Sequence, residues 1–480
     1  MKIFVCAAFI LIAISQGCGT DSMVSAIKIN PVESAFYPPL NTGRSRLFDL
    51  SWKFYKGELA GAEVPEFDDS RWRELDLPHD WSIEDLPDQK EGEVVGPFDK
   101  KSIGLFNTGY TNGGTGWYRK NFIVDKDDQG KDFTIFFDGV YMESDVWING
   151  HYLGSHKHGY TPFYYNLNNY LNPAGQENTL AVLVMNLGEN SRWYSGSGIY
   201  RHVWMRVTDP LNIPVWGIFV TTPEVSERNS KVSATVSIEN KRISAAEFVL
   251  KCSIISPGGK EVIYAEKSEK LEAGETRESE QIFDLSEPQL SSVETPSLYS
   301  LQTELIADAK VIDSEKTLFG IRRISFSPDK GFLLNGKHVI LKGACIHHDN
   351  GPLGAVALDR ADQRRIEILK ANGFNAIRTS HNPPSQGFLD ACDRAGMLVI
   401  DEAFDMWEKE KRPDDYHLFF REYHDKDLRS MVFRDRNHPS VIMWSIGNEI
   451  QERADSSGIR IAKELVNTVN SIDTTRPVTQ

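Results

Sequence analysis

The chain has 480 residues, which is enough for about three domains of ordinary size. Its formal net charge is −15, and it has no Lys/Arg run that could follow a phosphate backbone, so nucleic acid is excluded as an expected partner. Outside the first 18 residues, the cysteines Cys252, Cys345 and Cys392 are widely spaced. They predict neither a disulfide framework nor a metal cluster.

The chain begins with a short basic and apolar segment that resembles an export signal. Met1-Lys2 precede an apolar run over residues 3–14, which is too short for an ordinary membrane-spanning helix. A small residue precedes Cys18, as at a bacterial lipoprotein cleavage site. We predict a signal peptide over residues 1–18 and a lipid on Cys18, which places the protein in the periplasm or on the outer membrane. Simple secretion and a short membrane anchor are the alternatives.

The region over residues 30–209 contains short alternating runs that end at Gly, Asn and Asp residues. Such runs are typical of antiparallel strands. Asn149-Gly150 separates two of them and predicts a tight hairpin, because both turn positions require a positive φ. We therefore predict a β domain here. Its clearest strands are Phe133–Phe137, Ser144–Ile148, Thr179–Val184 and Arg201–Val207.

A second β region follows over residues 210–323. Its apolar runs are joined by polar links that are rich in Glu and Ser. Their size and spacing are those of a small immunoglobulin-like β-sandwich. The predicted strands include Val232–Ile238, Phe248–Ile254 and Tyr299–Leu305.

Strands and helices alternate over residues 324–480, which predicts parallel βαβ units. Because a (β/α)8 barrel has eight strands, we interpret this region as the N-terminal half of such a barrel, with four strands and the start of a fifth. The predicted strands are 339–342, 374–378, 397–401, 441–445 and 477–480, with helices over 363–372, 387–395, 416–433 and 458–469.

Polar groups follow four successive strands of the predicted barrel, at the end where such barrels carry their chemistry. They are His347-His348-Asp349, Arg378 to Asn382, Asp401-Glu402 and Asn448-Glu449. A carboxyl group buried between apolar walls favours its neutral form. We therefore expect Glu449 to hold a proton at neutral pH and to donate it to a leaving oxygen.

Several segments together resemble glycoside hydrolase family 2, the β-galactosidase and β-glucuronidase family, over nearly everything after Arg44. The resemblance implies a multidomain chain with a jelly-roll sandwich, an immunoglobulin-like sandwich and an incomplete TIM (β/α)8 barrel. The matching segments are Asp68–Trp72, Leu77–Trp81, Ser191–Arg201, Phe319–Arg322, Lys342–Asp349, Asn375–Pro383 and Asn437–Glu449.

The resemblance also implies roles for the residues at the strand ends. Glu449 would be the general acid/base, and Asn448 would hold the sugar 2-hydroxyl as the transition state forms. Asp80 would reach the sugar from the first domain, and a helix or turn cap is the alternative, which its sequence supports nearly as well. The remaining implied residues are the sugar-binding His347 and His381, Arg378, which orders carboxylates, and the site-shaping Asp401 and Glu402.

Retaining hydrolysis needs a second carboxylate about 5 Å from the first. In this family it lies on the seventh barrel strand, so we expect the nucleophile beyond Gln480 and no turnover by this chain alone. We expect no cofactor. The Glu-x-His pattern that binds magnesium in some relatives is absent from Phe404–Glu408, and Arg192 stands where those enzymes carry a sodium-binding acid.

The leading functional prediction is an exo-acting retaining β-galactosidase that acts on oligo- or polysaccharides with a terminal β-galactoside. A β-glucuronidase or β-galacturonidase of the same family is the enzyme alternative. A non-catalytic carbohydrate-binding protein is the third, motivated by Trp193, Tyr194 and Tyr200, which the sequence suggests are exposed. The sequence leaves open whether the chain forms a homo-oligomer.

Overall fold

Ten antiparallel strands build the first domain, in a computed structural model that describes residues 43–86 and 96–480. The predicted signal peptide and Cys18 lie outside these described residues. Within them, no helix has both the length and the apolar composition needed to cross a membrane. The strands are β1 (Ser45–Leu47), β2 (Trp52–Lys56), β3 (Arg73–Leu75), β4 (Gly114–Ile123), β5 (Asp132–Phe137), β6 (Glu143–Ile148), β7 (His151–His156), β8 (Phe163–Asn166), β9 (Glu177–Asn186) and β10 (Val203–Thr208).

The ten strands form two sheets that face each other as a jelly-roll sandwich. One sheet has the order β3-β2-β4-β9-β6-β7 and the other β1-β10-β5-β8. Asn149 and Gly150 both have positive φ in the β6–β7 hairpin, as predicted. Apolar side chains such as Trp52, Phe137 and Val146 fill the space between the sheets. Short 3-10 helices at Trp81–Ile83, Leu105–Thr108, Lys126–Asp128 and Asn168–Tyr170 connect the strands.

Eight further strands form the immunoglobulin-like sandwich. In one sheet β13 pairs with β11, β12 and β16, and the other sheet has the order β15-β14-β17-β18. The inward side chains, among them Leu250 and Phe283, form a separate core. The strands are β11 (Leu211–Asn212), β12 (Ile218–Glu224), β13 (Asn229–Asn240), β14 (Ala246–Ile255), β15 (Glu261–Leu271), β16 (Thr276–Ser286), β17 (Tyr299–Ala307) and β18 (Lys310–Phe319).

The last domain contains five parallel barrel strands in chain order. A small antiparallel sheet of β19 (Ile324–Ser327), β20 (Gly331–Leu334) and β21 (Lys337–His338) precedes them. The barrel strands are β22 (Gly343–Ile346), β23 (Ala376–Thr379), β24 (Leu398–Glu402), β25 (Val441–Ser445) and β26 (Val478–Thr479). The helices between them are α1 (Asp359–Ala371), α2 (Gln386–Ala395), α3 (His417–Asp435) and α4 (Ser456–Asn470), with 3-10 turns at Gly351–Leu353 and Gln451–Ala454.

The prediction for the first barrel strand is wrong. It was expected over residues 339–342, but the paired strand begins at Gly343, opposite Ala376. Asn375 explains the difference, because its side chain occupies the backbone groups of the predicted segment. Its Nδ2 donates to the carbonyl of Ile340 at 2.9 Å, and its Oδ1 accepts from the N–H of Lys342 at 2.7 Å. These backbone groups therefore bond to a side chain instead of to a neighbouring strand.

Side-chain and glycine caps mark the ends of two barrel helices. Ser385 caps α2 by accepting from the N–H of Phe388, and Gly396 ends that helix in the left-handed conformation that glycine adopts without steric cost. Asp455 caps α4 by accepting from the N–H of Ser457. These caps set the start and the end of the helices that cover the sheet.

The jelly roll and the barrel meet at a buried arginine. Arg434 on α3 donates to Asp138 of the jelly roll at 2.9 Å and to the carbonyl of Pro384 at 2.7 Å. It also holds both carboxylate oxygens of Asp435, at 2.6 and 2.8 Å. From the other side, Arg201 of the jelly roll donates to the carbonyl of Pro383 at 2.8 Å. Charged hydrogen bonds from both domains therefore fix the jelly roll over the barrel.

Candidate active site

Glu402 is the centre of the polar cluster at the strand ends. Its side chain has 0% exposure and accepts four hydrogen bonds. Arg378 donates two of them, from Nε at 2.8 Å and Nη2 at 2.6 Å, and Ser445 Oγ donates a third at 2.6 Å. His381 Nδ1 lies 2.8 Å from the other carboxylate oxygen. Groups from β23, β24 and β25 thus converge on one buried carboxylate, as the strand-end pattern predicts.

Asn448 is fixed in orientation by two charged neighbours. Its Oδ1 accepts from Arg378 Nη2 at 3.0 Å, and its Nδ2 donates to Asp405 Oδ1 at 2.8 Å. Lys411 Nζ donates to Asp405 at 3.0 Å and to the Asn448 carbonyl at 2.7 Å. Because the acceptor and the donor of the amide each have a defined partner, the side chain is held in one orientation and retains one N–H for a ligand.

Asp405 connects this network to the first domain. Arg192, on a loop of the jelly roll, donates to its two oxygens at 2.8 and 3.2 Å. Burial would raise the pKa of Asp405, but the hydrogen bonds and charges of Arg192 and Lys411, with the amide of Asn448, lower it to about 2. Asp405 is therefore a fixed negative charge, and it sets the position of Asn448.

Glu449 is not buried, contrary to the sequence-based expectation. Its side chain is 70% exposed, and its closest charged partner is Arg192, with both guanidinium nitrogens 3.5 Å from Oε2. The residue lies beyond the end of β25 in a left-handed backbone conformation with φ of 45°. The chain has left the apolar interior of the sheet at this point, so the carboxyl group projects at the rim of the site.

Two neutral histidines follow β22. Burial lowers the pKa of His348 to about 4, and its Nε2 donates to the carbonyl of Ser195 at 2.9 Å. Burial and the neighbouring His381 lower the pKa of His347 to about 4. The ring of His347 stacks on that of Trp193, with centroids 3.9 Å apart. At neutral pH these groups can exchange hydrogen bonds with hydroxyls without adding charge to the site.

The structure gives Asp80 the capping role rather than a free position near a sugar. One oxygen accepts from the backbone N–H groups of Ser82 and Ser197, both at 2.8 Å. The other accepts from the Tyr194 hydroxyl and from the Ala355 N–H. A carboxylate has about four acceptor positions, so all of them are occupied. Its contact with a sugar stays a prediction from the sequence.

Asp401 likewise lies away from the polar cluster. Successive side chains of a strand point to opposite faces, so Asp401 and Glu402 diverge. Asp401 is fully buried against Asp435 of α3, and burial together with that carboxylate raises its pKa well above the usual range. Asp401 belongs to the layer between the sheet and the helices, and its site-shaping role stays a prediction from the sequence.

In the Asp401→Asn variant, the free energy of unfolding should decrease less with increasing pH than in the wild type. The folded state raises the pKa of Asp401, so the folded protein retains a proton that the unfolded chain loses above about pH 4. The free energy of unfolding of the wild type therefore falls as the pH rises, by up to about 1.4 kcal/mol per pH unit. Asparagine does not ionise and can still donate to Asp435. Urea unfolding at pH 5 to 8 should show a variant whose stability, relative to the wild type, increases with pH.

The exposed Asp329 provides the matched control for this experiment. Asp329→Asn should leave the pH dependence of the unfolding free energy unchanged. Parallel pH profiles for Asp401→Asn and the wild type would show that Asp401 ionises normally in the folded protein.

Sequence reasoning did not identify Asp405, Lys411 or the contact of Arg192 as parts of this site. A signal for Asp405 was present, because it follows β24 by three residues, at the same rim as Glu402. The sequence contained no such signal for Lys411, which lies on a long loop, or for Arg192, which lies on a different domain. The two cations also show that the residues present do not fit a divalent metal ion at Asp405, because a guanidinium and an ammonium group already occupy its oxygens.

Three family models match consecutive parts of the chain. Residues 60–210 match the sugar binding domain of glycosyl hydrolases family 2, residues 215–322 match a second domain of the same family, and residues 327–480 match its TIM barrel domain. The matches follow the jelly roll, the immunoglobulin-like sandwich and the barrel strands in the order in which they occur.

The chain is also similar to individual proteins and to a solved structure. The chain is 41% identical over 464 residues to the beta-galactosidase BoGH2A of Bacteroides ovatus, covering 90% of this chain and 53% of that protein. It is 37% identical to a putative beta-glucuronidase of Formosa agariphila, and the match covers 89% of this chain and 39% of that protein. A family 2 structure from Bacteroides cellulosilyticus has a TM-score of 0.88 at 47% identity, covering 91% and 55%. The chain spans about half the length of the relatives it matches, and it belongs to glycoside hydrolase family 2.

Proposed function

We propose that the protein acts on terminal β-galactosides, with Glu449 as the general acid/base and Asn448 as the contact to the sugar 2-hydroxyl. The observation that carries this proposal is the fixed amide of Asn448, held between Arg378 and Asp405 directly before Glu449. Its second N–H can donate to a hydroxyl, a contact that strengthens as an oxocarbenium-like transition state forms. Glu449 at the rim can reach a glycosidic oxygen that faces solvent.

The charges around Asn448 support a neutral sugar over a uronic acid. Among the described residues, each cation next to Asn448 already has a carboxylate partner. Arg378 pairs with Glu402, and both Arg192 and Lys411 pair with Asp405. A sugar carboxylate would have to compete with these pairs and would leave a buried charge unpaired. The similarity to a protein named beta-galactosidase, at 41% identity, supports the same choice.

A β-glucuronidase or β-galacturonidase is the second candidate function. It is favoured by the 37% identity to a putative beta-glucuronidase and by a Bacteroides uniformis beta-glucuronidase structure, with a TM-score of 0.77 at 28% identity. We propose the galactoside first because of the paired charges.

The nucleophile is proposed to be a carboxylate outside the described residues. A nucleophile must be ionised and open towards the anomeric carbon. Glu402 accepts four hydrogen bonds, and Asp405 is held by Arg192, Lys411 and Asn448. Neither can reach a sugar without breaking these contacts. We therefore propose that residues 1–480 bind the sugar but do not hydrolyse the glycoside.

Titration calorimetry with galactose and glucuronate tests the proposed specificity. The chain is expected to bind galactose saturably and more tightly than glucuronate. The Asn448→Ala variant should lower the galactose affinity by roughly tenfold, the effect of losing a hydrogen bond in a network with charged groups. Asn467→Ala, on the exposed face of α4, is the matched control and should bind like the wild type. Tighter binding of glucuronate would select the second candidate.

The same preparation tests catalysis. We expect no release of p-nitrophenol from its β-galactoside above the buffer rate. Release that disappears in Glu449→Gln would show that a nucleophile is present in these residues after all. Failure to bind either sugar would overturn the proposed function for this chain.

Export and lipid attachment at Cys18 remain proposals from the sequence. They place the site outside the cytoplasm, where glycosides from the surroundings are available. Incorporation of labelled fatty acid by the wild type, and its absence in Cys18→Ser, would support them.

A further inference from the structure

Trp193 differs in exposure from three other tryptophans of the jelly roll and the barrel. Trp407 and Trp444 are buried in the barrel core, and Trp81 is buried in the jelly roll. Trp193 is 48% exposed, whereas Tyr200, which the sequence also suggested is exposed, is fully buried. The Tyr200 hydroxyl donates to the carbonyl of Gly159 at 2.8 Å, so its polar atom has a partner in the interior. Trp193 therefore presents a large apolar surface to solvent beside a polar cluster.

The exposed indole is held in place from three directions. Its Nε1 donates to Asp349 Oδ1 at 2.8 Å. One face of its ring stacks on His347, with only 10° between the two planes. Its backbone is fixed by Ser191, whose hydroxyl donates to the Trp193 carbonyl at 2.7 Å and accepts from the Trp193 N–H at 3.2 Å. A side chain that is already ordered loses little conformational entropy when a ligand packs on its free face.

The ring also lies at a defined depth in the site. Glu402 and Asn448 are buried, whereas Glu449 and Trp193 are exposed at the rim. Arg192, the residue before Trp193, contacts Glu449 at 3.5 Å, so the loop that carries the indole also contacts the proposed acid. The acid protonates the oxygen between the terminal sugar and its leaving group. With the terminal sugar at the buried end, the leaving group lies at the depth of Trp193.

We propose that Trp193 is the platform on which the leaving-group sugar of a β-galactoside stacks. This inference rests on the proposed function and adds the class of ligand, a second pyranose ring, to it. The apolar C–H face of that sugar would cover the free face of the indole. An indole combines an apolar face with a polar N–H, so it can pack on a sugar while its N–H keeps a hydrogen-bond partner. The jelly roll would thus contribute to the choice of the leaving group, while the barrel strands hold the terminal sugar.

Binding of galactose and of 4-O-β-galactosyl-glucose to the wild-type chain and to Trp193→Ala tests this proposal. The variant should lower the affinity for the disaccharide about tenfold and change that for galactose by less than about twofold. Trp193→Phe keeps a flat ring and should retain most of the disaccharide affinity. Tyr264→Ala is the matched control, because Tyr264 is 56% exposed and lies in the immunoglobulin-like domain.

The indole N–H resonance of Trp193 gives an independent measurement. It is assigned by its absence in Trp193→Phe, and it should shift when the disaccharide is added but not when galactose is added. Equal losses of affinity for both sugars in Trp193→Ala would place the ring against the terminal sugar and overturn the proposal. Unchanged disaccharide binding would also overturn it, and the proposed function would then still hold. If the wild type does not bind galactose, both the proposed function and this inference are wrong.

Discussion

Replacing Arg434 with alanine is expected to destabilise the protein by about 4 kcal/mol, since removing one partner of a buried ion pair leaves an uncompensated charge. The Arg434 side chain is 2% exposed and binds Asp138 and Asp435 at the same time. Alanine would leave both carboxylates buried without a cation, next to Asp401. Urea unfolding followed by the fluorescence of the buried Trp407 and Trp444 would measure the loss of stability.

Arg429 on the same helix is the matched control for this experiment. It pairs with Asp425 one turn away, and its side chain is 40% exposed. Such surface pairs contribute about 0.3–0.5 kcal/mol, so Arg429→Ala should unfold close to the wild type. A loss below about 1 kcal/mol in Arg434→Ala would mean that water or another cation replaces the guanidinium, and that the interface does not depend on it. If Arg434→Ala does not fold, Asp435→Asn in the same background should restore folding in part.

The consequence for function is that the docking of the jelly roll determines the composition of the site. Arg192 and Trp193 belong to the jelly roll but contact Asp405, Glu449 and His347 of the barrel. If Arg434→Ala loosens the interface without unfolding the barrel, the proposed galactose binding should weaken although none of the proposed sugar-binding residues has changed.

Replacing Arg378 with alanine has the second largest expected effect, a loss of about 3 kcal/mol of stability together with the loss of the proposed galactose binding. Glu402, at 0% exposure, would lose both charged hydrogen bonds from Arg378. The expected loss is at the lower end for a broken buried pair because Arg378 is itself partly exposed. Asn448 would lose the donor to its Oδ1 and with it one of the two contacts that fix the amide. Denaturant unfolding and galactose titration on the same preparation would measure both effects.

A double-mutant cycle identifies the cause. Glu402→Gln removes the charge that Arg378 neutralises, so the double variant Arg378→Ala/Glu402→Gln should be more stable than the sum of the two single losses predicts. Additive losses would show that Arg378 acts through packing alone. Arg360→Ala, in an exposed pair with Glu367 on α1, serves as the control and should change stability by less than about 0.5 kcal/mol.

The sequence predicted the order and type of the elements well. The run Val441–Ser445 is a strand with those bounds, and the helices of the barrel lie within a few residues of their predicted positions. These predictions depend on hydrophobic periodicity and on turn-forming residues such as Asn149-Gly150. Both are properties of the local sequence. The first barrel strand was misplaced because the side chain of Asn375, more than 30 residues away, bonds to the predicted segment.

The contacts and the burial of individual site residues were predicted less well. The strand-end rule correctly brought Arg378, His381, Glu402 and Asn448 together. It could not distinguish Asp401 from Glu402, because adjacent strand residues point to opposite faces and only the packing of α3 shows which face is the helix layer. It also could not show that Asp80 has all its acceptor positions filled, since three of its four donors lie more than 100 residues away.

The sequence by itself determined the three-domain order and the family, and it predicted Asn448 and Glu449 as site residues, because each of these depends on a contiguous motif or a local period. Only the tertiary structure decided that Glu449 stands exposed beside Arg192, that Asp405 fixes Asn448, and that Trp193 lies over the rim. Burial, charge pairing and pKa depend on which groups the fold brings within a few ångströms. Here the decisive groups come from a loop of the jelly roll, more than 150 residues before the barrel residues it contacts.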